Sequence, residues 1–278
     1  YETALRTDTN TGTASKVILD YNRFQNNTNA THDGSTPATT LPDGTTEIYG
    51  GISYVGNTTT NNHLTVTGVQ GDLTSAYGGK EAGAAGNATG NSVTITGTGS
   101  HAPTNVYGGY VGDAANNGMA TGNTVTITGG TVTGAVYGGY TNGAGTTTGN
   151  TVNIGTPAGV LTASTLSNTM LYGGGSSGSA SDIVTDNKLN VNTNASVRNI
   201  ANFGKVSFNF TSTFNQANPM LNVVGGAATD LNWAAIACTG TAPTGRSVLM
   251  QNTSNINLGT TYTGVKEVSS TDTHERII

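Results

Sequence analysis

The tripeptide Tyr-Gly-Gly recurs along this chain at an interval of about 30 residues. A second pattern keeps a similar interval: an Asn followed by a short alternation of polar and apolar residues. The Tyr-Gly-Gly copies begin at Tyr49, Tyr77, Tyr107, Tyr137 and Tyr172, and the alternating segments begin at Asn62, Asn91, Asn123, Asn150 and Asn187. A period of this length indicates a repeat architecture, in which each unit buries its apolar face only by stacking on its neighbours.

The composition and the local patterns favour strands over helices. The chain has 278 residues, of which 41 are Gly and only 9% are charged. Most of the residue types that favour long helices are scarce. Within each Asn-led segment, Val, Ile or Leu alternate with Thr, Ser or Asn, which is the period-two pattern of a strand with one buried face.

One repeat, from Asn123 to Asn150, shows how the units are built. Strand patterns cover residues 124–128, 131–133 and 135–137, and Gly residues separate them. Two or three short strands for each unit are typical of one coil of a parallel β-helix. We therefore predict an all-β fold, a right-handed parallel β-helix (solenoid) of roughly eight coils with ~30-residue repeats.

The repeat patterns divide the chain into three parts of one solenoid. Residues 1–46 lack both patterns and are predicted to form an irregular N-terminal coil or cap, with a strand at 16–21 and a long polar loop over 26–46. Residues 47–208 hold the regular Tyr-Gly-Gly and Asn repeats. Residues 209–278 are predicted to form degenerate C-terminal coils of the same solenoid.

Stacking in register predicts columns of identical side chains. The five repeat asparagines would form a structural ladder with amides bonded along the axis. The five repeat tyrosines, followed by Phe203, would form an aromatic ladder of offset-stacked rings. An aliphatic residue precedes each Tyr, so the rings are predicted to face outward. The Gly pair after each ring is predicted to supply a backbone turn that a Cβ would obstruct.

No cluster of residues suited to catalysis or metal binding emerges from the sequence. The closest acidic pair in the repeats, Asp182 and Asp186, is interpreted as solvated loop residues rather than as an acid/base couple. None of the four His has a second His or a Cys at ligand spacing. We therefore predict no enzymatic activity, no cofactor and no metal. The one cysteine, Cys238, cannot form an intrachain disulfide, and it is interpreted as a small buried residue, with an intermolecular bridge as the alternative.

The charge distribution restricts the partners. Over residues 82–181 the only charged side chain is Asp113, which leaves no basic groove for nucleic acid. The chain has no apolar run long enough for a membrane-spanning helix, so insertion of this segment into a membrane is not expected. Pairs of outward Thr at 65–67, 94–96 and 126–128 are similar to the arrays of ice-binding solenoids, but Thr is also a common exposed strand residue.

The stretch from Glu47 to about Asp230 resembles the passenger domain of a bacterial autotransporter, a type V secretion adhesin. The resemblance rests on the sequence Gly-Asn-Thr-Val-Thr-Ile-Thr-Gly-Gly at 122–130, on Val-Tyr-Gly-Gly-Tyr at 106–110 and 136–140, and on the segment 197–203. It implies export across the outer membrane, an adhesin-like β-helix at the cell surface, and a role in cell adhesion and virulence. The resemblance assigns no binding residues to this chain, because such adhesins share no fixed binding site.

Adhesion is therefore the predicted function. The expected partners are a host-cell or bacterial surface protein or glycan, held through an elongated and weakly charged face whose candidate contacts are Tyr49, Tyr77, Tyr107, Tyr137 and Tyr172. The alternative is a self-assembling fibre or surface-layer subunit, because open solenoid ends are unpaired strand edges that favour homotypic association. A polysaccharide-processing β-helix enzyme and an ice-binding solenoid are less favoured.

Overall fold

The computed structural model describes residues 5–7, 17–19, 29–33, 47–54, 56–67, 73–97, 103–159, 161–241, 243–258, 262–263 and 275–277. These residues form short strands joined by turns and loops. Within these ranges, no helix of the length and apolarity needed to cross a membrane occurs.

The strands, in chain order, are β1 (Leu5–Thr7), β2 (Val17–Leu19), β3 (Asn29–Asp33), β4 (Glu47–Ser53), β5 (Thr59–Thr60), β6 (His63–Thr67), β7 (Ser75–Glu81), β8 (Ala88–Thr89), β9 (Ser92–Thr96), β10 (Asn105–Val111), β11 (Ala120–Thr121), β12 (Thr124–Ile127), β13 (Gly129–Thr131), β14 (Ala135–Thr141), β15 (Thr151–Ile154), β16 (Thr162–Thr165), β17 (Met170–Ser176), β18 (Lys188–Val191), β19 (Ala195–Val197), β20 (Asn199–Ala201), β21 (Lys205–Phe210), β22 (Leu221–Val223), β23 (Thr229–Leu231), β24 (Ala235–Gly240), β25 (Val248–Asn252), β26 (Ile256–Leu258), β27 (Tyr262–Thr263) and β28 (Glu275–Ile277).

Equivalent strands of successive repeats lie side by side in parallel sheets. The largest sheet has nine strands in the order β27-β24-β21-β18-β15-β12-β9-β6-β3. The second has six, in the order β20-β17-β14-β10-β7-β4, and a three-stranded sheet, β11-β8-β5, runs beside them. From β4 to β12 the chain winds through one strand of each of these three sheets before it returns to the first. The described strands make about seven turns, where the sequence predicts roughly eight.

The register places like residues on top of one another. Tyr107 pairs with Tyr77 on one side and with Tyr137 on the other, and Val125 pairs with Val93 and Val152 in the same way. This arrangement confirms the prediction of an all-β parallel solenoid whose turns follow the sequence repeat.

The interior of the solenoid is a continuous apolar core made from the alternating residues of each strand. In β9, β12 and β15 the apolar residues are buried, and the Ser, Thr and Asn between them reach the outer surface. The fully buried positions in these three strands are Val93, Ile95, Val125, Ile127, Val152 and Ile154. Since the strand period is two, the Asn-led segments of the sequence locate this core directly.

Two N-terminal predictions differ from the structure. The segment 26–46, predicted as a loop, contains β3, which pairs in parallel with β6 and starts the nine-stranded sheet. Its sequence, Asn-Ala-Thr-His-Asp, lacks the alternation of apolar and polar residues by which strands are predicted. The sequence pattern therefore does not predict its backbone pairing with β6. The predicted strand at 16–21 is the shorter β2, which pairs antiparallel with β1.

The C-terminal edge of one sheet departs from the parallel pattern. The four-stranded sheet β19-β22-β25-β28 begins with parallel pairs and ends with β28, which runs antiparallel to β25. This antiparallel strand therefore occupies the sheet edge to which a further parallel turn would otherwise bond.

The five repeat asparagines lie at one inner corner of the solenoid, where each is at most 1% exposed. The side-chain amide of each of the first four donates to the side-chain oxygen of the next Asn, at 2.9 Å from Asn62 to Asn91 and 3.0 Å from Asn123 to Asn150, and Asn187 donates to the backbone carbonyl of Thr147 at 2.8 Å. The same side-chain oxygen accepts the backbone amide of the previous Asn, and the second amide hydrogen of Asn123 goes to the carbonyl of Ala88 at 2.9 Å. The ladder therefore satisfies both donors and the acceptor of a buried amide.

The Gly pairs lie inside the seven-residue strands and have no positive φ, so the predicted turn at these pairs is wrong. Gly is required at these positions because the structure leaves no space for a side chain. A Cβ on Gly79 would lie 2.4 Å from Cγ of Asn91, and a Cβ on Gly78 would lie 2.4 Å from the carbonyl oxygen of Gly108 in the next turn. The Tyr-Gly-Gly and Asn patterns are thus two halves of one packing unit, because in the first four repeats the second Gly leaves room for the Asn side chain.

Removing one rung of the ladder should destabilise the whole solenoid. We expect Asn123→Ala to lower the free energy of unfolding by about 3 kcal/mol, because the Asn91 amides and the Ala88 carbonyl lose their partner inside the protein. Urea unfolding followed by circular dichroism measures the change. The exposed Asn117 provides the control, and equal stability of Asn123→Ala and Asn117→Ala would contradict the ladder's role.

The glycine requirement can be separated from backbone strain. Gly79→Ala should cost about 3 kcal/mol, because the new methyl overlaps the Asn91 side chain. Gly226 has a φ of 73° but nothing within 4 Å of an added Cβ, so Gly226→Ala should cost only about 1 kcal/mol. Urea unfolding of both variants tests this order, and the reverse order would rule out the packing explanation.

Candidate binding face

The tyrosines of the five Tyr-Gly-Gly repeats lie on the outer face of the six-stranded sheet. The residue before each ring points into the core: Val106 and Val136 have no exposed surface. Strand alternation then directs the Tyr side chains outward, as the aliphatic pattern of the sequence predicts. We call this surface the tyrosine face, and it comprises Tyr49, Tyr77, Tyr107, Tyr137 and Tyr172 together with Tyr110 and Tyr140.

The five repeat rings form one continuous stacked column. Successive ring centroids are 5.4, 5.0, 5.3 and 4.7 Å apart from Tyr49 to Tyr172, and the interplanar angles are 14°, 9°, 3° and 8°. This spacing follows from the distance between neighbouring strands, which is about 4.8 Å. Stacked aromatic pairs add about 0.5–1.5 kcal/mol each beyond their burial, so the column also stabilises the sheet on its outer side.

A second, shorter column packs against the first. Tyr110 and Tyr140 stack on one another with centroids 5.5 Å apart, and each meets the first column edge-on, Tyr110 on Tyr107 at 5.0 Å and Tyr140 on Tyr137 at 4.9 Å. Strict alternation would place residues three apart on opposite faces. The two intervening glycines both point inward and shift the alternation by one residue, which brings Tyr110 to the face of Tyr107.

These two tyrosines were missed as site residues by reasoning from the sequence. The signal was the final Tyr of the Val-Tyr-Gly-Gly-Tyr pattern, but a period of two assigns it to the wrong side. Only the packing of the Gly pair over Asn123 and Asn150 explains the shift.

A charged pair covers the N-terminal end of the column. Glu47 accepts hydrogen bonds from the hydroxyls of Tyr49 and Tyr77, the latter at 3.0 Å, and from Lys80 Nζ at 2.9 Å. Lys80 occupies the register position of Tyr110 in the preceding turn, with Nζ 4.6 Å from the Tyr77 ring centroid. Burial alone would raise the pKa of Glu47, but the hydrogen bonds from Tyr49 and Lys80 and the Lys80 charge outweigh it and lower that pKa.

The C-terminal end of the column is different. Tyr172 pairs in register with Ala201, so no ring continues the stack in the next turn. The prediction that Phe203 extends the ladder is wrong: Phe203 is 3% exposed and belongs to the core. Asn202, with a φ of 61°, turns the chain just before Phe203 and directs its ring inward.

The rings differ in how much of their surface is exposed to a ligand. Tyr77 is only 4% exposed, whereas Tyr107, Tyr137, Tyr140 and Tyr172 are half-buried. Among the described residues, the hydroxyls of these four tyrosines neither accept nor donate a hydrogen bond. They are also not buried, so they reach solvent. Burial raises the pKa of Tyr137 to about 12, with additions from Tyr172 and Tyr140, and it raises the pKa of Tyr107 as well.

The nine-stranded sheet presents a second regular surface of small polar side chains. Thr65, Thr94 and Thr126 follow one another in register, and Asn153 and Asn190 continue their column. Asn153 donates to Thr126 Oγ1 at 3.1 Å and Asn190 donates to Asn153 Oδ1 at 2.8 Å, so part of this column bonds internally. The paired Thr of the sequence thus occupy three turns and then give way to Asn.

The remaining candidates from the sequence lie apart from one another. Asp182 Oδ1 accepts the amides of Val184 and Thr185, each at 2.9 Å, and these bonds, with one from the Thr185 hydroxyl, lower its pKa. Cys238 is a free, half-buried thiol against the core, and burial raises its pKa to about 11. Within the described ranges, no three His, Cys, Asp or Glu side chains come together as metal ligands.

No protein-family model matches this chain, and comparisons with curated proteins and with solved structures give no match. The tyrosine face is a plate of phenol rings whose ring faces are largely occupied by neighbouring rings. The hydroxyls of Tyr107, Tyr137, Tyr140 and Tyr172 are open to solvent, and the Glu47–Lys80 pair lies at the N-terminal end of the plate. Such a plate is suited to binding by hydrogen bonds and stacking at its margin.

The buried tyrosines should make stability depend on pH above the neutral range. An unfolded tyrosine loses its proton near pH 10, whereas the folded chain retains that of Tyr137 to about pH 12. Stability should therefore be complete below pH 10 and fall as the pH rises toward 12. Urea unfolding at increasing pH measures this, and absorbance of the phenolate reports ionisation.

The variant Tyr137→Phe serves as the comparison, because it removes one titrating group and should show a weaker pH dependence. Phenolate absorbance that develops with a single midpoint near 10 while the protein stays folded would contradict the raised pKa values.

Proposed function

We propose that this chain is an extracellular adhesin, a cell-surface passenger like those of the bacterial autotransporters that its repeats resemble. The observation that carries the proposal is the tyrosine face, on which two columns of rings hold solvent-exposed hydroxyls at intervals of one turn. The expected ligands are glycans or surface proteins of host cells or of other bacteria.

The repetition along the axis favours multivalent contact. The exposed hydroxyls of Tyr107, Tyr137 and Tyr172 recur at the ring spacing of about 5 Å, and Tyr140 adds a fourth beside them. A hydroxyl can both donate and accept, which matches the hydroxyls of a sugar. Each contact is weak, but contacts linked on one rigid surface combine by avidity.

The end of the column adds a different kind of contact. Tyr172 has a ring on one side only, and the small Ala201 follows it in the next turn. A sugar ring with an apolar face could continue the stack at this position, at the spacing that the other rings already keep. The margin of the tyrosine face is thus its best candidate for direct stacking, and the interior of the column contributes hydroxyls.

Low charge and cysteine content are consistent with this role. Over residues 82–181 the sequence carries one charged side chain, so the face attracts ligands through hydrogen bonds and stacking and depends little on salt. The chain has one cysteine, and its fold depends on hydrogen-bonded ladders in place of disulfides.

The alternative, a self-assembling fibre, is less well supported. End-to-end growth needs free parallel edges at both ends of the rod. At the C-terminal end, β28 pairs antiparallel with β25 and occupies the edge of the four-stranded sheet.

Removing the hydroxyls while keeping the rings tests the proposal. The triple variant Tyr107→Phe, Tyr137→Phe and Tyr140→Phe retains the stacking and loses three exposed hydroxyls. We expect its binding to cells or to a glycan array to fall about tenfold or more, since each lost hydrogen bond contributes about 1 kcal/mol. Binding of labelled protein, with circular dichroism to verify folding, is the measurement.

The matched control is Tyr77→Phe, because Tyr77 is buried within the same column and its hydroxyl is held by Glu47. This variant should bind like the parent chain. Unchanged binding by the folded triple variant would reject the tyrosine face as the adhesive surface.

A further inference from the structure

Two lysines lie side by side on the outer face of the nine-stranded sheet, away from the tyrosine face. Lys188 of β18 and Lys205 of β21 are register partners on adjacent turns, and both are exposed. Their Cα atoms are therefore about 5 Å apart. Like charges directly opposite one another on neighbouring strands destabilise a sheet. Among the described residues neither lysine forms an ion pair, so both ammonium groups are available to an anionic ligand.

The next turn carries an exposed tryptophan, Trp233, near Lys205. Ala235 of β24 is the register partner of Lys205, and Trp233 precedes it by two residues. The amide of Ala235 donates to the carbonyl of Gly204 at 2.9 Å, which ties the turn of Trp233 to the strand of Lys205. Chain geometry then keeps the Cα atoms of Trp233 and Lys205 within about 12 Å.

The exposure of Trp233 is set by its turn. The amide of Ala234 donates to the carbonyl of Leu231 at 3.0 Å, and Ala234 is the residue that enters the core. Trp233 is consequently 80% exposed, although Phe203, two residues before the strand of the preceding turn, is buried. An indole costs free energy when left in water, so an exposed one held in place by the backbone is typical of a contact surface.

We propose that Lys188, Lys205 and Trp233 form a binding site for an acidic polysaccharide, a lysine–tryptophan site separate from the tyrosine face. The two ammonium groups would hold a uronate carboxylate or a sulfate, and the indole would stack on the apolar face of an adjoining sugar ring. Asn190 and Ser207, the next outward pair in the same strands, supply amide and hydroxyl partners.

The surroundings favour an acidic polysaccharide over a nucleic acid. Asp186 lies two residues before Lys188, and the carboxylate of Asp230 accepts the amide of Asn232 near the indole. With these acids close by and a net charge of −5, the site lacks the extended basic stripe that a nucleic acid backbone requires. A ligand with spaced single charges and apolar ring faces fits two cations and one aromatic plate.

The site has a built-in reporter, because Trp233 is the only tryptophan of the chain. Titration with oligogalacturonate should shift the tryptophan emission to shorter wavelength and protect it from acrylamide quenching. The double variant Lys188→Gln and Lys205→Gln should weaken binding at least tenfold, and added salt should weaken binding by the parent chain. The variant Trp233→Ala, followed by calorimetry, should also weaken it.

Three controls isolate the site. The double variant Arg198→Gln and Arg246→Gln makes the same change in net charge at other exposed cations and should bind normally. Neutral dextran should leave the emission unchanged. The tyrosine-to-phenylalanine triple variant should bind oligogalacturonate like the parent, which distinguishes failure of this site from failure of the tyrosine face.

Several results would overturn the proposal. These are equal loss of binding in the lysine and arginine double variants, an equal response to dextran, no response to either oligogalacturonate or a sulfated oligosaccharide, or an emission that changes with protein concentration alone. The last result would assign Trp233 to contact with a second copy of the chain.

Discussion

The buried asparagine ladder is the interaction on which the rest of this solenoid depends. From Asn62 to Asn150 each side-chain amide bonds the next Asn of the ladder, so the ladder sets the register of the five repeat turns at the same corner. In the first four repeats the ladder has room only because the second Gly of the Tyr-Gly-Gly carries no side chain, and in the fifth Asn187 lies against the first Gly, Gly173. The first Gly is needed for an independent reason, the close approach of the next turn's carbonyl. Once these contacts fix the register, Val and Ile fall into one core and Tyr into one outer column.

Much of this was readable from the sequence, and the physical reason is the repetition itself. A strand pattern that recurs once per turn specifies which residues face inward and which stack, so the parallel solenoid, the core and the outward column of Tyr107 and its equivalents were predictable. The failures occurred where a local contact overrode the pattern. The Gly pair shifted the alternation and brought Tyr110 and Tyr140 onto the tyrosine face. Asn202 adopted a positive φ and turned Phe203 inward. In β3 a polar segment became a strand because the edge of β6 offered hydrogen bonds.

The outer faces of the two large sheets differ in the side chains that they expose. On the six-stranded sheet, large aromatic residues share their faces with one another and expose their edges, so rigidity and recognition come from the same side chains. The end covered by Glu47 and Lys80 is closed by charge, and the end at Tyr172 is open. On the nine-stranded sheet the outward residues of β9, β12 and β15 are small, and at Lys188 and Lys205 this regular pattern is interrupted by charge, with an exposed indole on the next turn. The proposed stacking contacts, at Tyr172 and at Trp233, are therefore located where the regular arrays end, and the hydroxyls of the tyrosine columns lie between.

The asparagine corner has a consequence for how such a molecule can change over generations. The ladder residues are separated by 29, 32, 27 and 37 positions, yet their hydrogen bonds keep nearly the same lengths. The connecting segments absorb every difference in length at the periphery. Because each rung presents the same upper and lower surface, duplication or loss of a whole unit in the gene leaves matching surfaces behind. The rod can thus be lengthened or shortened by recombination, and its peripheral loops can diversify, without redesign of the interior.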